Sequence, residues 1–286
     1  MRKEKIKPLV KGFLKHKLLK KFLPKRPTGG GGGGNTTNTR YCYTVWMRHL
    51  KNLSEFSNEV PKVVAEFGPG NSLGSGLAAL LSGSDKIYGF DVVKYWDSDR
   101  NLRIFDELVE LFKARTDIPN QTEFDKVNPI LDDYKFPSHI LTQEVLIKNL
   151  APERIEAIRN EIKNIDNPDN KFIKFQIPWN NTSIVNKNSV DFIFSQAVLM
   201  HIYGLDETYE VMRDWLKPNG FMSHTIDLKC INTISIWNGH YTFSEWEWEL
   251  ITGGKNEMIS RFPCSKHINL HHKHHFKILK QFVEKK

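Results

Sequence analysis

The amino-acid sequence predicts an α/β protein with a doubly wound, mostly parallel sheet. Short apolar runs of strand length alternate with segments of helical periodicity along most of the chain. The first run ends in a turn with two glycines, and a helical pattern begins directly after it. An acidic residue closes the second run, 21 positions after the second glycine. A helical insertion after the second strand and a C-terminal antiparallel hairpin complete the predicted architecture.

The composition indicates one large domain or two small ones. The chain has 286 residues, and 40% of them are hydrophobic, which is enough for a sizeable core. No apolar run reaches transmembrane length, and lysines interrupt the N-terminal segment too often for a secretory signal. Cys42, Cys230 and Cys264 lie far apart, which favours a reduced protein without disulfides. We therefore expect a cytoplasmic location.

The net charge of +8 comes from the N-terminal segment. Residues 1–27 hold 11 of the 41 basic residues and one of the 33 acidic residues, so the rest of the chain carries −2. A nucleic-acid-binding domain would have its basic patch on the folded body, so nucleic acid is not the expected partner. Two interpretations of residues 1–27 stay open. They form either a partly amphipathic helix on an anionic inner-membrane surface or a solvated, frayed tail.

A flexible linker separates this basic segment from the folded part. Residues 29–34 are all glycine, and a short polar stretch follows them. The sequence thus predicts a tail and linker at 1–39 and a single folded domain at 40–286. Residues 41–56 carry a helical pattern that includes His49, and we expect this helix to cover one edge of the sheet.

The glycine turn is the strongest local signal for a ligand site. Residues 63–67 predict a buried parallel strand, and Gly68 and Gly70 let a ligand approach the backbone. The helix that follows would offer free N–H groups and partial positive charge at its N-terminus. Glu66 lies where the strand leaves the sheet, at the edge of that crevice.

The same turn disfavours a dinucleotide as the ligand. The dinucleotide fingerprint needs Gly-x-Gly-x-x-Gly, and Leu73 stands at the third glycine position. Pro69 has no N–H to offer a pyrophosphate. An acidic residue before the turn, Glu66, would repel phosphate and suit a cationic, amine-bearing ligand.

Asp91 is the predicted ribose ligand. It lies at the carboxyl end of the second predicted strand, residues 86–92. In doubly wound sheets an acidic side chain about 20 residues after the glycine turn can accept hydrogen bonds from ribose hydroxyls. The alternative is an ordinary surface aspartate at a strand end.

Residues 97–168 interrupt the alternation of strands and helices. Helical patterns at 102–112 and 141–164 flank a polar stretch with several prolines at 116–136. We predict a mostly helical insertion, which either caps the pocket and selects the substrate or serves as scaffold.

Three further strands complete the predicted parallel sheet. They lie at 171–177, 189–196 and 221–227, and a helix at 207–216 precedes the last of them. Near the C-terminus a helix at 265–273 leads into a terminal strand that begins at His275 and would form the antiparallel hairpin.

Several stretches together resemble class I S-adenosylmethionine (SAM) methyltransferases, which have a Rossmann-like sheet. The acidic-x-Gly-x-Gly sequence at 66–70 matches the first motif of that class, and Leu-Lys-Pro-x-Gly is a familiar passage between a helix and a strand. Several stretches also resemble a bacterial-type subfamily of methyltransferase-domain proteins, often associated with surface-glycan genes. The stretches that carry this resemblance lie at 66–72, 194–201, 224–227 and 237–240, within about residues 41–286.

The resemblance implies roles for residues at the first two strand ends. Glu66, Gly68 and Gly70 would line the methionine and ribose part of SAM, and Asp91 would hold the ribose hydroxyls. A third alternate glycine is common in the class, and this chain has Ser72 there, which is still small enough for close approach.

It also implies roles at the ends of the third and fourth strands. Ser195 and Gln196 would lie near the amino acid part of SAM or the transferred methyl group. Ile177 or Trp179 would contact the adenine ring, and a tryptophan that simply packs in the core is the alternative.

Methyl transfer to a hydroxyl acceptor benefits from a general base, and histidine suits that role near neutral pH. The candidates are His201, His224 and His240, with His201 first because it follows the fourth strand. Each can instead be a packing or capping residue. The expected acceptor is an O or N atom on a small molecule, a sugar or a lipid-linked glycan.

The C-terminal histidines are not predicted to hold a metal. His271 and His275 have the i, i+4 spacing of a helical chelate, but the helix is expected to turn into a strand there. No Cys, Asp or Glu nearby completes a ligand set, so we expect a solvated basic surface.

Two other functions stay open. The protein could be an RNA methyltransferase that uses the basic tail as an arm. It could also be a non-catalytic SAM-binding or scaffolding protein that the tail attaches to a membrane.

Overall fold

The computed structural model describes residues 3–15, 35–179, 182–230, 233–252 and 259–284. Its helices and strands are, in chain order, α1 (Lys3–Lys15), α2 (Thr39–Leu53), β1 (Val63–Phe67), α3 (Gly74–Ser82), β2 (Lys86–Phe90), α4 (Ser98–Lys113), α5 (Gln143–Asn149), α6 (Pro152–Lys163), β3 (Ile173–Gln176), β4 (Val190–Gln196), α7 (Leu205–Trp215), β5 (Leu216–Thr225), α8 (Glu245–Thr252) and α9 (Cys264–Lys273). Short 3-10 turns lie at Thr182–Ile184, Leu199–His201 and Gly239–Thr242.

The five strands form one all-parallel sheet in the order β3-β2-β1-β4-β5. β1 is central, and the chain crosses from the edge strand β3 to β4 on the other side of β1. The strand order therefore reverses between β1 and β4, which is the topological switch point of a doubly wound sheet. The predicted α/β, Rossmann-like fold is confirmed.

The local sequence explains the central strand–helix unit. Four of the five β1 residues are buried, as expected for a parallel strand that is covered on both faces. The short apolar helix α3 ends at Gly83, which has a φ of 118° that favours glycine. The Gly83 N–H donates to carbonyls of the last helical turn, which closes the helix.

Helix α2 packs on a face of the sheet, not along its edge as predicted. The Trp46 ring lies 6.2 Å from that of Phe192 and 5.6 Å from that of Phe194, both on β4. The buried Arg48 side chain donates to two carbonyls of the stretch 114–142 and ties that stretch to α2. Helical periodicity identifies the buried side of a helix but not the surface that covers it, so the sequence could not distinguish a face from an edge.

The insertion between β2 and β3 contains three helices, α4, α5 and α6. The stretch 114–142 joins α4 to α5 through turns and irregular backbone. Its side chains Ile118, Val127 and Phe136 are buried in the same core cluster as α2 and α3. This part of the insertion is therefore packed into the core.

The stretch 217–220, which the sequence places between the predicted helix at 207–216 and the predicted strand at 221–227, belongs to strand β5 in the structure. β5 begins at Leu216, which pairs with Val190, and the next pair is Phe192 with Phe221. The residues between these pairs form a bulge. A proline and a glycine interrupt a strand pattern in a bulge as they do in a turn, which explains the difference.

The predicted C-terminal hairpin is absent from the described part of the chain. Residues 276–284 form no strand there, and the sheet has no antiparallel member. Phe276 and Ile278 are partly buried while their neighbours are exposed, so the alternation seen in the sequence is real. Alternation predicts extended backbone, but a ladder also needs a sheet edge in register, which the sequence alone does not specify.

The described residues divide into two compact units, and the whole sheet lies in one of them. We call them the sheet unit, 31–196 and 211–225, and the C-terminal unit, 1–30, 197–210 and 226–286. In the C-terminal unit a small core forms around Met200, Phe243 and Trp248.

This division differs from the predicted tail at 1–39 and single domain at 40–286. Helix α1 packs against α8, so the start of the basic segment is part of the C-terminal unit. Residues 16–34, which include the glycine run, lie outside the described residues. No described helix is both long and apolar enough to span a membrane.

Candidate functional site

The carboxyl ends of β1, β2, β4 and β5 carry most of the predicted ligand residues. These ends flank the switch point between β1 and β4, where open α/β sheets bind their ligands. The residues that the structure brings to this edge are Glu66, Gly68, Gly70, Asp91, Ser195, Gln196 and His224.

The glycine turn needs glycine for its backbone conformation. Gly68 and Gly70 have φ values of 69° and 71°, in the left-handed region that side chains disfavour. The Gly68 N–H donates to the carbonyl of Phe90 at 2.7 Å, which holds the turn against the end of β2. Adding a side chain at either glycine would strain the turn that leads into α3.

Asp91 contacts the glycine turn directly. Its Oδ2 accepts from the Gly70 N–H at 3.2 Å, and its Oδ1 accepts from the Val92 N–H at 2.7 Å. Burial raises the pKa of the Asp91 carboxyl, and bonds from the Val92, Gly70 and Val93 amides oppose that rise. A carboxylate offers about four acceptor positions, so three amides leave room for at least one further donor.

Glu66 faces the start of α3 and is only 6% exposed. It accepts hydrogen bonds from the Gly76 N–H and the Ser75 side chain. Burial raises its pKa to about 8, and the nearby Asp91 adds to the rise. Glu66 is therefore mostly neutral at pH 7, so the predicted electrostatic selection for a cationic ligand does not follow. Its role as a cofactor contact stays a prediction.

Three N–H groups at the N-terminus of α3, which the sequence predicts to be free, have partners within the protein. The Leu73 N–H donates to Asn101 Oδ1 at 2.9 Å, and the Gly74 N–H donates to Ser72 Oγ at 3.1 Å. The Gly76 N–H donates to Glu66. Side chains of the protein thus satisfy these donors, because the first turn of a buried helix needs partners.

Ser195 and His224 form a pair at the ends of β4 and β5. They are opposite each other in the strand register, and Ser195 Oγ lies 2.8 Å from His224 Nδ1. Ser195 is fully buried and His224 is partly exposed. The pair places a histidine of the predicted set at the same sheet edge as the glycine turn.

Gln196 is held by a histidine that the sequence did not mark as functional. Its Oε1 lies 3.2 Å from Nε2 of His49, and Nδ1 of His49 lies 2.7 Å from Ser223 Oγ. An amide oxygen only accepts, so the His49 Nε2 carries the hydrogen and Nδ1 accepts from the Ser223 hydroxyl. This arrangement turns the NH₂ group of Gln196 away from His49.

His49 is fully buried, and burial lowers its pKa to about 4. It is therefore neutral at physiological pH, as the two hydrogen bonds require. In the sequence it occupies one position of the apolar stripe of α2, between Trp46 and Leu50. A histidine in such a stripe is the signal that could have identified it.

The two residues proposed for the adenine differ in exposure. Ile177 is 37% exposed beyond the end of β3, and Trp179 is partly buried. The Trp179 ring lies 5.9 Å from the Phe67 ring in an edge-on contact, at the end of β1. Trp179 thus has a packing role, and an adenine contact by either residue stays a prediction.

His201 and His240 both belong to the C-terminal unit. His201 is exposed in the 3-10 turn Leu199–His201. His240 is 1% exposed, and burial with the positive charge of Arg261 lowers its pKa. Its ring centroid lies 4.1 Å from that of Tyr241. His240 Nδ1 has no hydrogen-bond partner in the described part of the chain.

Three histidines on α9 or directly after it lie around Tyr209. Nδ1 of His267 lies 3.3 Å from the Tyr209 hydroxyl, Nδ1 of His271 bonds to the His267 carbonyl, and His274 pairs with Asp206 at 2.6 Å. Across the described residues no three His, Cys, Asp or Glu side chains are grouped to share a metal ion. His267, His271 and His274 are buried or partly buried, whereas His272 and His275 are exposed, so the predicted solvated surface holds only for the latter two.

Comparisons with known proteins add little to this description. No protein-family model matches the chain, and no curated protein matches it. Among solved structures it is similar to one chain of a complex between the Haloferax volcanii Trm112 methyltransferase activator and a candidate methyltransferase. That likeness covers 80% of this chain and 68% of the other, at 13% identity and a TM-score of 0.37. The fold class therefore rests on the strand order and the parallel register.

Proposed function

We propose that this protein is a SAM-dependent methyltransferase. The observation that carries the proposal is the contact between Asp91 and the Gly70 amide, 3.2 Å long, at the switch point of the sheet. It joins an acidic side chain at the end of β2 to a glycine turn at the end of β1. This is the arrangement that binds the ribose of a nucleoside in doubly wound sheets.

The start of α3 favours SAM over a dinucleotide. A pyrophosphate needs free backbone N–H groups at that point, and those of Leu73, Gly74 and Gly76 already have partners in the protein. Pro69 has no N–H to add. SAM contains a ribose but no phosphate, so it needs Asp91 without needing these donors.

The protein's own residues would bind and orient this cofactor. Asp91 would accept a ribose hydroxyl, and Gly68 and Gly70 would let the ligand lie against the backbone. Gln196, with its amide oxygen on His49, would offer its NH₂ group to an acceptor on the ligand. SAM supplies the methyl group, and the site contributes alignment and exclusion of water.

We infer that the methyl acceptor is an O or N atom of a small molecule, sugar or lipid-linked glycan. For a hydroxyl acceptor His224 is the candidate base that lies in the sheet unit, at the end of β5. With Nδ1 engaged by Ser195, proton transfer would use Nε2 of His224. His201 and His240 remain candidates from the C-terminal unit.

Isothermal titration with S-adenosylhomocysteine tests the cofactor site. We expect Asp91→Ala to weaken binding roughly tenfold or more, because it removes a charge-assisted hydrogen bond. Gly68→Val should abolish binding, because a β-branched residue is strained at a φ of 69°. Asp132→Ala, at an exposed position in the same unit, is the control and should bind like the wild type. Full-strength binding by both site variants would refute the assignment.

Methyl transfer from labelled SAM separates the enzyme from its alternatives. Transfer to a sugar or glycan-lipid acceptor would support the proposal. Cofactor binding without transfer to any acceptor would instead favour a scaffolding protein. Transfer to RNA that is lost when residues 1–39 are deleted would favour the RNA methyltransferase.

A further inference from the structure

Helix α1 uses one side to pack within the C-terminal unit. Lys5 Nζ lies 3.1 Å from the Glu247 carboxylate and 5.0 Å from the centre of the Phe243 ring. Gly12 approaches α8 so closely that a Cβ there would lie 2.6 Å from the Leu250 carbonyl oxygen. This side of α1 is therefore already occupied.

A second side of α1 carries an exposed apolar stripe. Ile6, Val10 and Phe13 are 44%, 52% and 62% exposed. Their i, i+4, i+7 spacing places them within about 60° of one another around the helix axis. We call these three residues the α1 stripe.

Exposed lysines lie on the next sector of the helix. Lys7 and Lys11 are exposed, and their positions follow the α1 stripe on the side away from the Lys5 and Gly12 face. Going around the axis, α1 thus presents a docked face, an apolar stripe and a basic face. In the adjacent helix Trp246 is 66% exposed, one turn before Leu250. Exposed tryptophans and a basic face beside an apolar stripe are typical of helices that lie in a membrane interface.

We propose that the α1 stripe and the lysines beside it dock this protein on an anionic lipid surface. The apolar side chains enter the boundary between headgroups and acyl chains, and the lysines contact lipid phosphates. This proposal goes beyond methyl transfer and does not depend on it.

The charge and the apolar surface of α1 together favour an anionic bilayer over a second copy of this chain or a nucleic acid. Residues 1–27 carry a net charge of +10, so two copies meeting through α1 would bring like charges together. A nucleic acid would bind the lysines but would leave Ile6, Val10 and Phe13 exposed. An anionic bilayer satisfies both the charge and the apolar surface.

Vesicle flotation of the full chain tests the proposal. We expect the wild type to float with vesicles of equal parts phosphatidylcholine and phosphatidylglycerol, and not with phosphatidylcholine alone. The variant Ile6→Ser/Val10→Ser/Phe13→Ser should partition into vesicles roughly tenfold less or weaker still, because it removes the apolar area that would enter the bilayer. The matched control Phe56→Ser/Ile130→Ser/Ile147→Ser changes side chains that are 41%, 49% and 63% exposed elsewhere, and should float like the wild type.

A second variant covers the case in which serines unfold α1. Lys7→Glu/Lys11→Glu keeps good helix formers and the apolar stripe but reverses the charge beside it, so flotation should fall. Circular dichroism checks that each variant is folded. Equal flotation of the stripe variant and its control would overturn the proposal. So would equal binding to vesicles without phosphatidylglycerol, or wild-type dimerisation that the stripe variant loses in sedimentation equilibrium.

Discussion

At the residue scale, burial changes the chemistry of Glu66 and His49. Glu66 is an acid held mainly neutral, with a pKa of about 8, and His49 is a base held neutral, with a pKa of about 4. In both cases desolvation disfavours the charged form and outweighs the hydrogen bonds, which oppose the pKa shift. The ligand edge of the sheet unit thus contains two buried polar groups that are neutral near pH 7, next to the buried Asp91.

The raised pKa of Glu66 makes a testable contribution to stability. The folded state holds the Glu66 proton up to about pH 8, whereas the unfolded state releases it near the usual 4.5. Stability from this residue is therefore full below 4.5 and falls as the pH rises to about 8, by up to about 1.4 kcal/mol per pH unit. Glu66→Gln has no carboxyl group to titrate at this position. The free energy of unfolding of the variant, relative to that of the wild type, should therefore increase as the pH rises.

Urea unfolding at several pH values between 5 and 8 measures this difference. Glu153→Gln, at an exposed position, is the control and should follow the wild type at every pH. Parallel curves for Glu66→Gln and the wild type would contradict the neutral state of Glu66.

At the element scale, the close approach of α2 and α3 depends on a glycine. A Cβ at Gly74 would lie 2.5 Å from Sγ and 2.7 Å from Cβ of Cys42 on α2. Ser72 and Glu66 then supply the partners for the first N–H groups of α3. Small residues before and within this short helix thus have both packing and hydrogen-bonding roles.

Gly74→Ala should destabilise the protein although alanine favours helix. Overpacking costs about 1–3 kcal/mol, and the gain in helix propensity offsets at most about 1 kcal/mol of it. We therefore expect a net loss of about 1 kcal/mol in urea unfolding. Gly204→Ala is the control, because a Cβ there meets only Glu207 Oε2 at 3.4 Å. A Gly74→Ala variant as stable as the control would show that α2 and α3 adjust freely.

At the scale of the whole molecule, each unit contains a buried neutral histidine. His49 lies in the sheet unit and His267 in the C-terminal unit, and burial lowers the pKa of both to about 4. Their folded pKa values lie below the unfolded value of 6.5, so only the unfolded chain takes up these protons between pH 6.5 and 4. Both units therefore contain a source of acid sensitivity.

We expect the stability of the protein to fall as the pH is lowered from 6.5 to 4, because two histidines together outweigh the opposite contribution of Glu66. Each of the two histidines contributes up to about 1.4 kcal/mol per pH unit in this window and nothing further above it. His49→Gln and His267→Gln should each flatten the acid limb of the unfolding curve, measured by thermal melts. His139→Gln, at an exposed position, should leave its slope unchanged. An acid limb that is identical in all variants would contradict the prediction.

The sequence alone determined the sheet, the glycine turn and the position of Asp91. Burial of apolar runs such as 63–67 is favourable because it removes apolar surface from water. Gly68 and Gly70 occupy backbone conformations that other residues disfavour. These are local properties, so they can be recognised in a single amino-acid sequence. The assignment of SAM and of the histidines stays a prediction, because it rests on resemblance and on spacing.

Only the tertiary structure decided which polar groups meet and which surfaces are covered. Glu66 is neutral because α3 covers it, and His49 holds Gln196 because α2 packs on the face of the sheet next to β4. Residues 276–284 alternate like a strand but form no ladder in the described structure, and α1 divides its apolar residues between α8 and solvent. Periodicity marks the buried side of a segment, whereas desolvation, pairing and pKa depend on residues that are distant in sequence.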